Sequence, residues 1–182
     1  MATFPSGVKT FTTRLTNDII QPGHVNDLQD EVTAIETLLN VDLFQAVNTS
    51  GQPVWSDYTP TWTGGSPAIG NGTLTGRYLR MGAKTVFVNI KLTGGSGTTW
   101  GASAWSFSLP VSNALVGLFT VFAFDAAPSA TVYPGMAYIG SGTTLVPIVS
   151  AGTAAGTGVI NTTPFTWTTS DILEISGFYL IS

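Results

Sequence analysis

The spacing of apolar residues changes once along this chain, near Val54, and that change limits the folds open to it. Before it, Val25, Leu28, Val32, Ile35 and Leu39 follow at intervals of 3, 4, 3 and 4. That is the a/d seam of a heptad helix. Beyond it, apolar and polar residues alternate, as on strands with one buried face. A single switch excludes a helical bundle and an alternating β–α chain. It leaves a β-domain with a short helix ahead of it.

The clearest strand is Lys84–Thr93, with Val86, Val88, Ile90 and Leu92 on one face and Thr85, Phe87, Asn89 and Lys91 on the other. Ala102–Leu109 alternates again, with Trp105, Phe107 and Leu109 expected inside. Further strands are expected at Leu74–Arg80, Leu118–Phe124, Thr131–Ile139, Thr144–Val149 and Ile172–Ile181. Turn-rich stretches separate them at Gly64–Gly72, Gly94–Gly97, Gly140–Gly142 and Ser150–Pro164. Pro134 and Pro147 interrupt two of these strands. Those two are expected at a sheet edge or at a bulge, because proline cannot donate to a ladder. Short strands at this spacing predict a mainly β fold, an antiparallel, jelly-roll-like β-sandwich. The expected organisation is an extended arm over 1–23, a heptad helix over 24–40, a linker over 41–53 and a β-head over 54–182. One echo occurs inside the head, Thr59-Pro60-Thr61-Trp62-Thr63 against Thr163-Pro164-Phe165-Thr166-Trp167-Thr168. It predicts similar local geometry rather than a repeat.

In the arm, Pro5, Gly7 and Pro22-Gly23 break regular structure. Phe4, Val8, Phe11, Leu15, Ile19 and Ile20 make it more apolar than a floppy terminus, so it is expected to dock. Pro22 suits the first turn of the following helix, and Asp27, Asp30 and Glu31 suit its positive end. Two heptads fall near the ~12–15 residues below which an isolated helix is marginal. Without Lys or Arg the helix also lacks internal ion pairs. It must therefore pack, either on the chain's own β-domain or on the same helix of other copies. The strict a/d spacing and the terminal position favour a parallel bundle of copies.

Charged residues make up only 9% of the chain, and mean hydropathy is +0.31. Such a chain has to hide surface, in a core or in an oligomer. No membrane insertion is expected, since the apolar run Ala114–Phe124 is broken by Gly117 and Thr120 and falls short of ~18–20 residues. No secretory signal is expected from MATFPSGVKTFTTR, which lacks an apolar stretch. Before Val54, Lys9 and Arg14 oppose Asp18, Asp27, Asp30, Glu31, Glu36 and Asp42, a net charge of −4, and the remainder is neutral. Neither part offers the basic face that nucleic acid requires.

Chemistry is sparse. Cysteine is absent and His24 is the one histidine, so no thiolate nucleophile, disulfide or His/Cys metal site is available. No catalytic residue, metal or cofactor is expected. Asp171 and Glu174 are the nearest carboxylate pair in the head, but on one strand they would face opposite sides. The Gly-rich loops carry no following Lys and no strand-to-helix switch, so they do not form a phosphate cradle. Tryptophan remains. Trp105 has core parity; Trp100, after the Gly94–Thr99 loop, and Trp62 are candidate platforms for stacking on a sugar ring.

The segment FPSGVKTFTT…IIQPGHVNDLQDEVTAIETLL resembles the N-terminal region of tail-fibre-like and other virion proteins of phages of Gram-positive hosts, notably actinobacteria. HVNDLQDEVTAIE is its most specific part. The stretch SDYTPTWT…GNGTLTGRYLRMGAKTVFVNIKLTGG…TWGASAWSFSLPV resembles the compact β-modules at the ends of such proteins. The likeness spans roughly residues 4–111. It implies a homotrimeric virion component with its N-terminal part on the particle and its β-head outward. Phe4, Val8, Lys9, Phe11 and Arg14 would then anchor on capsid or tail proteins, and Val25, Leu28, Val32, Ile35 and Leu39 would hold the copies together. The head would meet a host-surface glycan. A long fibre has an extended shaft, and this chain has only the 41–53 linker. That favours a short spike, a small receptor-binding protein or a capsid head fibre. Two rivals stay open: a capsid decoration protein with a mechanical role, and a small glycan-cleaving enzyme.

Overall fold

Alternation decides where each strand's side chains go. In the computed structural model Val86, Val88, Ile90 and Leu92 are all buried, while Thr85, Phe87, Asn89 and Lys91 lie on the other face. The structure describes residues 54–182 apart from 83, 113, 129 and 151–155, together with Asn26, Leu28–Asp30, Val32 and Thr33. Those six are helical, and the Thr33 hydroxyl donates to the Gln29 carbonyl at 2.9 Å. The arm residues Phe4, Val8, Lys9, Phe11 and Arg14, the seam residues Val25, Ile35 and Leu39, and His24 lie outside the described residues.

Ten strands follow: β1 (Ser56–Tyr58), β2 (Trp62–Thr63), β3 (Thr73–Met81), β4 (Thr85–Thr93), β5 (Ser106–Ser108), β6 (Ala114–Asp125), β7 (Thr131–Ser141), β8 (Thr144–Val149), β9 (Thr157–Gly158) and β10 (Ile172–Ile181). All pair antiparallel, in the order β1-β3-β4-β10-β6-β7-β8-β5-β2, with β9 on β8. The mainly β, antiparallel expectation holds. In place of the two facing sheets of a sandwich there is one curled sheet. Its two ends share one short segment: β1 pairs with β3 at one end of the order, and β2 pairs with β5 at the other. Around Thr59–Thr61 the Ser108 N–H donates to the Thr61 carbonyl at 3.0 Å, and the Thr61 N–H donates to Ser108 Oγ at 2.8 Å. The Tyr58 hydroxyl donates to the Ser108 carbonyl at 3.3 Å. Curling lets a single sheet wrap its apolar face around its own core.

For the two proline strands the expected edge is a correction, whereas the alternative, a bulge, interrupts the β7–β8 ladder between Ile139 and Ser141. β7 and β8 sit inside the strand order, not at its edge. The sheet tolerates both prolines because each lies where a flanking ladder has run out. Pro134 pairs with Phe122 but falls beyond Gly135–Val149, the end of the β7–β8 ladder. The Pro147 carbonyl accepts from Val159 N–H at 3.2 Å, on the side away from β7. Its nitrogen points the same way, so the missing donor breaks no β7–β8 bond.

The core is aromatic at one end and aliphatic along the sheet. Trp62, Trp100, Trp105 and Trp167 form one cluster, with Trp105 4.9 Å from Trp62, 5.6 Å from Trp100 and 5.0 Å from Trp167 between ring centroids. Both Pro-led segments thus deliver a Trp to the same place. Trp105 Nε1 donates to the Gly101 carbonyl at 2.9 Å and Trp167 Nε1 to the Thr163 carbonyl at 3.1 Å. Gly94 is dictated by this cluster, since a Cβ there would lie 2.5 Å from the Trp100 ring. Along the sheet, Ile90, Leu92, Leu145, Leu173 and Ile175 are fully buried. At the other end the Tyr179 hydroxyl donates to the Val111 carbonyl at 3.1 Å and accepts from Val111 N–H at 3.2 Å.

Candidate interaction surface

The outward residues of β3, β4, β10 and β6 fall into rows fixed by strand register. In order they read Met81–Thr85–Leu180–Val116, Leu79–Phe87–Phe178–Leu118, Arg77–Asn89–Ser176–Thr120, Thr75–Lys91–Glu174–Phe122 and Thr73–Thr93–Ile172–Phe124. The first two rows are almost wholly apolar, and the next two are mostly polar. β7 extends the apolar surface with Val132, Met136 and Tyr138. Among the described residues nothing covers these side chains: Leu118 is 61% exposed, Met136 63% and Val116 59%.

Chain direction gives the rows a polarity. β1 pairs Ser56 with Tyr78 and Tyr58 with Gly76, so the chain enters the head at the Met81 end and runs toward the Thr73 end. Trp55, just before β1, lies edge-on to Phe87 at 5.6 Å, and the Arg77 guanidinium stands 4.8 Å from the Trp55 ring. The apolar rows therefore surround the entry point.

A groove of about 320 Å³ crosses the polar rows, lined by Asp57, Thr75, Gly76, Arg77, Asn89, Lys91 and Glu174. It gathers half of the head's charges, two of each sign. Asn89 Nδ2 donates to Glu174 Oε1 at 2.9 Å, while Asp57, Arg77 and Lys91 are exposed. Glu174 and Asp171 face opposite sides, as expected. Asp171 is fully buried and accepts from Ala126 N–H at 2.8 Å, from Thr168 N–H, and from the Thr168 hydroxyl at 3.1 Å. It splints the β6–β7 turn to the approach of β10. Among the described residues no group of three or more His, Asp and Glu is placed to hold a metal.

The far end carries loops. Loop 64–72 joins loop 94–101 through paired backbone bonds between Ala68 and Thr99 at 2.9 and 2.8 Å. The Asn71 side chain accepts from Gly97 N–H at 2.6 Å and donates to Ser96 Oγ at 3.0 Å. The Thr98 hydroxyl donates to the Ile69 carbonyl at 2.7 Å. Ser66, Ser96, Thr99 and Ser170 remain exposed on this end.

The sequence-predicted residues are scattered differently. Trp62 is 9% exposed, so as a sugar platform it is corrected: pairing of β2 with β5 turns its ring into the core beside Phe107 and Trp105. Trp100 is half-buried and engaged with Trp62, Trp105 and Trp167. Of the seam, Leu28 and Val32 are described, and both are exposed. Sequence reasoning missed the outward apolar rows. The signal was present in β6 and β10, whose apolar residues occupy both parities, a pattern of strands covered on both faces.

No protein-family model, no curated protein and no solved structure matches this chain.

Proposed function

We propose that this chain is a non-enzymatic bacteriophage virion structural protein. It is a homotrimeric short fibre or spike, anchored to the particle by its N-terminal segment, with its β-heads projecting for attachment to host-surface glycan. The observation that carries this reading is the polarity of the head. The chain enters at the Met81 end, and the cross-braced loops 64–72 and 94–101 lie at the opposite end. A module joined to its support at one end and presenting rigid loops at the other is suited to contact at a distance. The exposed hydroxyls of Ser66, Ser96, Thr99 and Ser170 would meet sugar hydroxyls there. Three heads on one stem add avidity, so each can bind weakly. Purified protein added to host cells should compete with the particle for adsorption, and electron microscopy should place it at the host-facing tip. Location on the shell with no effect on adsorption rules the reading out.

A second reading, a capsid decoration or head-fibre protein, is favoured by the exposed apolar face. Neighbours on a shell would cover it, and the heads would need no ligand. The same microscopy separates the two.

A further inference from the structure

We infer that the apolar belt at the entry end of the head, centred on Phe178, Leu118 and Met136, is an interface with a second copy of this chain. The inference rests on the proposed function in supposing that copies associate through the helix seam; it locates a further contact on the head itself.

Area is the first argument. Met81, Val116, Leu118, Met136, Tyr138 and Phe178 are 43–63% exposed, with Trp55 and Leu180 beside them at 41% and 40%. At roughly 150–250 Å² for a large side chain, the belt leaves on the order of 700 Å² of apolar surface open. The largest patch of a typical monomer is about 300–600 Å². A standard interface takes about 800 Å² from each partner. The belt has the size of an interface.

Charge and position select the occupant. In the head, Arg77, Arg80, Lys84 and Lys91 balance Asp57, Asp125, Asp171 and Glu174, so two heads do not repel. The groove next to the belt holds two charges of each sign, and a copy can oppose unlike charges to them. The belt also surrounds Trp55, where the chain arrives from the segment bearing the heptad seam. Copies gathered by that seam bring their heads together at this end first. The two rows at this end are the most apolar of the outer face, as that geometry requires, while Phe122 and Val132 stand exposed in the rows nearer the loops.

The test uses the full chain. Leu118 and Met136 are mostly exposed, so L118E/M136E leaves the core intact, and the near-UV circular dichroism of the buried tryptophans reports this. Should that signal change, L118Q/M136Q carries the same test. Light scattering at micromolar concentration should show the unmodified chain as an oligomer. The double variant should associate at least about thirtyfold more weakly, the scale of losing one central interface side chain. Unchanged association of L118E/M136E overturns the inference. If V32D/I35D dissociates the oligomer in that case, the trimer reading stands without the head contact. A monomeric unmodified chain overturns both, and binding of that monomer to neutral phosphatidylcholine vesicles would assign the belt to lipid.

Discussion

Strands β4, β6 and β10 present two faces that differ in how they are finished. The inner face is complete. Val86, Leu92, Tyr179, Ile175 and Ala123 are buried, their neighbours interlock, and the polar atoms that enter, such as Asp171 and the indole nitrogens of Trp105 and Trp167, are hydrogen-bonded. Trp62 Nε1 is the exception, buried with no partner among the described residues. The outer face has apolar residues of the same kinds, Leu118, Phe178 and Val116, yet nothing among the described residues covers them. Burial stabilises a side chain only once water has been removed from it, at roughly 25 cal/mol per Å². The inner face draws that stabilisation from folding. The outer face can draw it only from whatever comes to cover it. One strand can thus serve the fold with one parity and assembly with the other.

The largest expected effect lies inside. Trp105→Ala should cost about 3–5 kcal/mol, because it empties the centre of the tryptophan cluster. That is a large part of the about 5–15 kcal/mol by which a domain is stable, and urea unfolding followed by tryptophan fluorescence measures it. Next comes Asp171→Ala, at about 3 kcal/mol. It leaves the part-buried donors of Ala126 and Thr168 without their acceptor. A near-neutral result would break the account of Asp171 as a splint.

A pH series sharpens the comparison further. Burial lifts the Tyr179 phenol to about 12, and burial lifts Tyr58 as well. Both folded-state values exceed the unfolded value near 10. The fold therefore favours the protonated phenols. Their contribution is complete below about pH 10 and is lost as pH rises through the folded values, because the unfolded chain ionises first. Urea midpoints should stay level up to about pH 10 on this account and fall above it.

The smallest effect on folding belongs to the outer face. Leu118→Ala, measured where the chain is monomeric, should stay within about 0.5 kcal/mol. A loss comparable to that of Trp105→Ala would show Leu118 to be a core residue and erase the distinction between the faces.

Much of this was legible in advance. The strand at 84–93 is marked by period-two alternation, those at 144–149 and 172–181 by the turn-rich stretches around them, and Trp105, Phe107 and Leu109 fall inside from parity alone. Local pattern could not assign Trp62 or place β7 and β8. Those depend on which distant strand lies alongside, and the pairing of Trp62 with Phe107 spans more than forty residues.

By itself, then, the sequence determined a mainly β head, its strand positions and the parity of its core, because alternation is a local property of the backbone. It also carried the neutral charge of the head, which needs only counting. The tertiary structure alone decided that the strands make one curled sheet, that Ser56–Thr63 serves both of its ends, and that the two most apolar outward rows lie at the end where the chain enters. Each of these follows from register between strands far apart in the chain, and register is settled by which faces can be buried together.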